Sequence, residues 1–286
     1  MKIEARAKVN LFLRILGKRS DGFHQLETLM APISLYDSIE LEEIEDEIEI
    51  QVRGMNLSAG KDNLAYRAAL EVRKKVRIKR GVRITIDKRI PLGGGLAGGS
   101  SNCAAVIKGV NDLWQAGLGE EQLHEIAASL GSDINFFLQD SPAICSGRGE
   151  KISPVLLEHD LFAVLINPGF GVETPWAFKT YAKNPKIGKE GQLSIKYKKS
   201  DDSPSDITKL RNDLEPPVFE KYIWLSGAKN WLLRQEGVLD AMMSGSGATV
   251  FALVDSEQRA AALISKSKEI FGSTTWIQHV SVHRGI

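Results

Sequence analysis

The sequence predicts an α+β fold in two domains, with mixed and antiparallel sheets and helices packed on them. Three observations predict it. The 286 residues exceed what one small core needs. Segments with period-two alternation recur at both ends of the chain, interleaved with segments of helical spacing. The helix that follows the glycine cluster is succeeded by a second helix, not by the strand that a parallel βαβ unit requires.

The first strand is read from Val9, Leu11, Leu13 and Ile15 on one face and Lys8, Asn10, Phe12 and Arg14 on the other. A turn at Ser20-Asp21-Gly22 leads to strand signals through Ile33. Residues 37–49 then carry eight carboxylates interleaved with Ile39, Leu41, Ile44 and Ile48, the pattern of an exposed antiparallel strand. Asp62-Asn63 can cap a helix with Leu64, Ala68 and Val72 on one side. A strand with Val82, Ile84 and Ile86 runs to Pro91. After the glycines, Cys103, Val106, Ile107, Val110, Leu113 and Trp114 mark a helix closed at Gly117, and a second helix runs from Glu120 to Leu130 with Gly131 behind it. Strands resume at Ile144 and include Leu161 to Ile166. Lys183 to Ser205, rich in Lys, Ser and Gly, reads as a mobile, solvated loop. The last third predicts a helix over 222–233, a glycine turn at 245–247, a strand over 248–254, a helix over 257–270 and a final strand.

With 43% hydrophobic and 26% charged residues the chain is neither disordered, collagenous nor a membrane protein. Its formal charge of +1 is a cancellation: the acidic 37–49 run offsets residues 67–89, which hold ten basic residues and two acidic ones. No aromatic residue interleaves 73–89, which argues for a solvated charged face and against a nucleic-acid surface. Cys103 and Cys145 lie in apolar or small-residue stretches and read as free buried thiols in a reducing compartment. The amino terminus has no apolar h-region, and no apolar run approaches the roughly 20 residues of a membrane helix. A cytoplasmic protein without a membrane or nucleic-acid partner is expected, as a monomer or weak homodimer.

The densest signal is GGGLAGG at residues 93–99, followed by Ser100 and Ser101 at the mouth of a helix. Backbone N–H groups of such a turn and the helix N-terminus can surround a phosphate, because no side chain keeps the anion away. A Walker A loop is excluded because no Lys follows the glycines. Gly93, Gly95 and Gly98 satisfy G-x-G-x-x-G, but the helix beginning at Glu120 replaces the second strand that a dinucleotide fold needs. Protein-kinase signatures are absent. Asp133, directly before Ile134 and Phe136, is either a catalytic carboxylate or a cap for the turn that follows.

AKVNLFL, PLGGGLAGGSSNCAA with LGSDINFFL, and MSGSGATVF resemble the ordered motifs of the GHMP kinase superfamily, over residues 8 to about 253. SDGFHQLETL, ETPWAF and NDLEPPVF are similar to segments of the branch whose acceptor is a cytidine-diphosphate-linked polyol. The resemblance implies the two-domain GHMP-kinase fold, with an N-terminal domain over residues 1–153 and a C-terminal domain over 154–286, and ATP-dependent phosphorylation of a small alcohol, with Mg2+ beside ATP and no ligand set for the metal. It implies Asp133 as base, with Lys8 facing it and stabilising alkoxide-like charge. It implies nucleotide contacts from Gly93, Gly94, Gly95, Leu96, Gly98, Gly99, Ser100 and Ser101, with Asn63, Leu64 and Lys88 near the adenosine. Gly245, Ser246 and Gly247 would form a turn beside the loop. Substrate selection would come from Asn10, Phe23, His24, Thr174 and Phe178, the two phenylalanines sandwiching the cytosine and His24 reading its edge. Two residues depart from the family pattern: Ala97 stands where Gly is common, and Phe23 where Tyr is frequent. Rival readings are a mevalonate, homoserine or sugar kinase of the same superfamily, a nucleic-acid-binding module on 67–89, and a catalytically silent binding protein.

Overall fold

The computed structural model describes residues 1–55, 60–199 and 206–285. In chain order the elements are β1 (Lys2–Lys18), β2 (His24–Ile44), β3 (Ile48–Arg53), α1 (Leu64–Val76), β4 (Gly81–Asp87), α2 (Gly98–Leu113), α3 (Glu120–Leu130), a 3-10 helix (Asn135–Leu138), β5 (Ala143–Gly147), β6 (Lys151–Leu157) and β7 (Leu161–Asn167). There follow α4 (Thr174–Lys183), β8 (Ser194–Lys199), β9 (Asp206–Lys209), β10 (Arg211–Asn212), α5 (Glu215–Lys221), α6 (Ile223–Leu232), β11 (Val238–Met243), β12 (Val250–Val254), α7 (Glu257–Phe271) and β13 (Trp276–Val282).

The chain forms two compact units that interleave in sequence. One comprises Met1–Ala7, Leu35–Ile90 and Ala97–Asp140, the other Lys8–Ser34, Pro91–Leu96 and Ser141–Ile286. This differs from the expected cut after residue 153, and the reason is strand length: β1 and β2 run for 17 and 21 residues, and each serves both units.

In the first unit β4 pairs antiparallel with β2, from Ser38 opposite Asp87 to Ile44 opposite Gly81, and parallel with β3. Ile39, Leu41, Val82, Ile84 and Ile86 bury one sheet face against Ala68 and Val72 of α1 and Val106, Ile107 and Val110 of α2. That apolar burial is the main driving force for the unit. The Asn63 side chain accepts the Ala65 N–H and caps α1, as its position before the apolar repeat predicts. The opposed charge runs meet on the surface: Arg80 pairs with Glu43, and Arg83 with Glu42 and Glu49. Such exposed pairs are worth about 0–1 kcal/mol each, but they consume part of the basic run. Asp37 is the exception to the exposed acidic strand, being wholly buried.

In the second unit β11, β12, β7 and β13 form an antiparallel sheet. Val164, Ile166, Val250 and Ala252 bury against Leu225 and Leu232 of α6 and Leu263 of α7. The first half of β2 pairs with β5, which continues through β6 and β8 to β9. β8 corrects the expected loop over 183–205. Ile195 and Tyr197 alternate with lysines and are buried, a period-two signal masked by the high Lys content; residues 200–205 of that stretch lie outside the described residues.

Both cysteines are free and buried, and burial pushes the Cys103 thiol up to about 12, which leaves it inert as a nucleophile. Among the described residues no helix is long and apolar enough to cross a membrane.

Candidate active site

β1 places Lys8 and Asn10 on one face two residues apart, and both are buried, with Lys8 only 3% exposed. The Lys8 ammonium donates to Asn10 Oδ1 at 2.7 Å and to the Gly95 carbonyl at 2.7 Å. Asn10 Nδ2 in turn donates to Thr28 Oγ1 at 2.8 Å, so both ends of the amide are assigned. A buried ammonium is stable only with such partners. The burial overturns the ordinary habit of a strand lysine.

Gly95 belongs to the part of the glycine loop held by the second unit. Its φ is +74, and a Cβ there would lie 2.0 Å from the Ser244 carbonyl oxygen. Ser244 Oγ donates back to the Gly95 carbonyl at 2.9 Å, while the Ala248 and Thr249 amides donate to the Gly93 and Gly94 carbonyls at 3.3 and 3.1 Å. The turn at 245–247 therefore packs on the loop, as the sequence suggests. The segment NDLE supports that turn from beneath: Asn212 Nδ2 donates to the Met243 and Gly245 carbonyls, and Glu215, buried and paired with Lys229, accepts the Met243 amide. Burial raises the Glu215 carboxyl above the usual carboxylate range.

The same unit holds the expected substrate residues. His24 stacks on Phe178 with ring centroids 5.4 Å apart and planes 25° from parallel, and Tyr181 meets His24 edge-on. Thr174 Oγ1 lies 2.8 Å from Ser246 Oγ, linking α4 to the glycine turn. Phe23 is half exposed, and the Arg148 guanidinium sits 4.8 Å from its ring centroid. Sequence reasoning missed Arg148, Tyr181, Ser244 and Asn212 as neighbours of these residues, while Ser246 was expected in the turn beside the loop. Their partners are distant in sequence; Ser244 and Asn212 lie in the SGSG and NDLE segments, and nothing in the sequence pointed to Arg148 or Tyr181.

Burial, followed by the charge of Lys18, lowers the His24 pKa below the usual imidazole value of 6.5, so at pH 7 the ring is neutral, with one donor and one acceptor nitrogen. The folded state then binds fewer protons than the unfolded chain just below pH 6.5. The stability this group contributes is complete above that pH and is lost as pH falls through the folded value. An NMR titration is expected to place the His24 midpoint below 6.5, and His24→Ala to flatten the stability slope in that window. A midpoint at or above 6.5 contradicts the burial argument.

The first unit holds the other expected residues. α2 opens Gly98-Gly99-Ser100-Ser101 with no side chain capping it and no acid in its first turn, so its leading N–H groups and positive dipole end are left for an anion. Leu64 packs beside Gly99, where a Cβ would lie 3.9 Å from Leu64 Cδ1. Lys88, expected near the adenosine, has its ammonium buried in an ion pair with Asp37. Asp133 precedes the fully buried Ile134 and Phe136, and no side chain caps the 3-10 helix that follows, so the capping alternative is not what the fold uses. Asn135 meets His124 Nδ1 at 3.1 Å. Among the described residues no three His, Cys, Asp or Glu side chains converge as a metal cage.

Ala97, just before α2, adopts φ 55 and ψ 30. A left-handed alanine costs on the order of 1 kcal/mol relative to glycine. Ala97→Gly is expected to raise stability by about 0.5–1 kcal/mol in chemical denaturation; a loss of stability would show that the Cβ contributes packing that outweighs the strain.

Residues 63–148 match the model for the GHMP kinases N terminal domain, and residues 202–271 that for the GHMP kinases C terminal domain. The chain is 41% identical over 278 residues to a 4-diphosphocytidyl-2-C-methyl-D-erythritol kinase of Methylacidiphilum infernorum (isolate V4), covering 96% of this chain and 94% of the relative. It is 38% identical to the protein of that name from Nostoc punctiforme (strain ATCC 29133 / PCC 73102), covering 93% and 90%. A crystal structure of 4-(cytidine 5'-diphospho)-2C-methyl-D-erythritol kinase superposes with a TM-score of 0.79 at 30% identity over the whole of both chains. Homoserine kinase from Cytophaga hutchinsonii ATCC 33406 shares the fold at a TM-score of 0.65 and 16% identity, covering all of this chain and 95% of that one.

Proposed function

The chain belongs to the GHMP kinases, and from that premise we propose that it transfers the γ-phosphoryl group of ATP to the 2-hydroxyl of 4-diphosphocytidyl-2-C-methyl-D-erythritol, a step in non-mevalonate isoprenoid precursor biosynthesis. One observation carries the choice of acceptor. SDGFH and ETPWAF meet in the stack of His24 on Phe178, 154 positions apart in sequence, where a nucleobase has an aromatic surface and a neutral imidazole to read it. Base stacking of this kind is worth about 1–3 kcal/mol.

In the reaction the acceptor oxygen bonds to the γ-phosphorus, the bond from that phosphorus to the β–γ bridging oxygen breaks, and ADP leaves. Asp133 takes the hydroxyl proton. Lys8, fixed by Asn10 and the Gly95 carbonyl, stabilises the charge that develops on the acceptor oxygen. Gly93, Gly94, Gly95 and Leu96, continuing into Gly98, Gly99, Ser100 and Ser101, offer backbone donors to the ATP phosphates. Asn63 and Leu64, at the start of α1, are assigned to the adenosine. Asn10, Phe23, Thr174 and Phe178 select the acceptor, with the cytosine between the two phenylalanine rings. Magnesium, bound with ATP, would neutralise charge on the phosphates during the transfer.

ADP release measured with the cytidine substrate, mevalonate and homoserine side by side tests the proposal. Turnover with the cytidine substrate alone is expected; preference for either of the others overturns it.

A further inference from the structure

Asp37 stands in the acidic run yet is fully buried, and its two carboxylate oxygens serve opposite sides of the glycine loop. Oδ1 accepts the Arg89 amide at 2.7 Å and the Ile90 amide at 2.9 Å, the last two residues before Pro91. Oδ2 accepts Asn102 Nδ2 at 2.9 Å, in the second turn of α2, and pairs with the Lys88 ammonium, which also reaches Asn102 Oδ1 at 3.4 Å. Lys88 and Asn102 are themselves buried. The fit at the helix mouth is close: a Cβ on Gly98 would lie 2.9 Å from Ile90 Cγ2 and 3.0 Å from Lys88 Nζ.

We propose that Asp37 is a positioning residue for the nucleotide, joining the arm that enters the glycine loop to the helix that leaves it and so fixing how the leading N–H groups of α2 are presented. A buried charge pair is weak evidence for a stabilising role, since an apolar pair of similar volume often serves as well. What an apolar pair cannot replace is the directional link from one carboxylate to two backbone amides on one arm and a side-chain amide on the other. Asp37 acts through the loop and touches no substrate. This inference rests on the reading of residues 93–101 as the nucleotide loop.

The test removes the helix-side link alone. Asn102→Leu keeps the Asp37–Lys88 pair and both backbone bonds, and is expected to raise the KM for ATP and the Kd for ADP about tenfold, with kcat and the KM for the alcohol within about twofold, in a folded protein whose melting temperature falls by the loss of the Asn102 hydrogen bonds. Asp37→Asn leaves the buried Lys88 ammonium without its counter-charge, so it is expected to lower the melting temperature and, in the folded protein, to show the same selective loss of nucleotide affinity. Unchanged ADP affinity in a folded variant overturns the proposal. So does a parallel decline of every constant with melting temperature, or loss of folding in both variants, since each makes the network purely structural. Calorimetry with ADP reads nucleotide binding directly, so a failed choice of alcohol shows up as absent turnover in the unaltered enzyme and is not confused with this result.

Discussion

Asparagine in place of Asp133 is expected to lower turnover by about two to four orders of magnitude while nucleotide affinity stays near that of the unaltered enzyme. The amide keeps the volume of the carboxylate but cannot accept a proton as a base. The surrounding fold has little reason to change: Ile134 and Phe136 hold the segment through their burial, and the 3-10 helix behind Asp133 uses no side-chain cap that the substitution could remove. Single-turnover rates with saturating ATP measure the chemical step, and ADP calorimetry measures binding. Turnover within a few-fold of normal would remove Asp133 from the mechanism and return it to a structural role.

Alanine in place of Gly95 is expected to destabilise the second unit by about 3 kcal/mol or more and to abolish activity with it. Two penalties coincide there. The backbone sits at φ +74, and the added carbon would lie 2.0 Å from the Ser244 carbonyl oxygen and 3.0 Å from that of Gly247, both backbone atoms that cannot turn aside. Because the Gly95 carbonyl also accepts Lys8 Nζ and Ser244 Oγ, any shift that relieves the clash displaces the lysine. Gly99→Ala is the control: φ there is ordinary for a helix, and the new methyl would rest 3.9 Å from Leu64. Thermal unfolding should separate the two by many degrees, and similar melting temperatures would contradict the packing argument.

The elements that report themselves through a short-range signal were legible. β1 alternates, Asn63 caps α1 where the apolar repeat begins, and α3 runs over Glu120–Leu130 as its spacing predicts. What escaped the sequence is long-range pairing. Nothing in residues 1–20 says that Lys8 is buried, because its acceptor on Gly95 lies 87 positions away. Asp37 looks like its exposed acidic neighbours until Arg89, Ile90 and Asn102 are brought to it. β8 hides its two inward residues among lysines that point outward. α4 was legible only as part of a resemblance, its proline standing in the first turn, where the missing N–H costs nothing. In the candidate site, the glycine loop named itself by composition, whereas the His24–Phe178 stack depends on a fold that joins two loops far apart in sequence.

The most direct measurement is phosphorus NMR of the product formed from ATP and 4-diphosphocytidyl-2-C-methyl-D-erythritol. One new phosphate monoester, on the 2-oxygen of the erythritol with the diphosphate intact, appearing in step with ADP, is the predicted result. ADP formed without that monoester, or a monoester on mevalonate or homoserine in its place, would contradict the account.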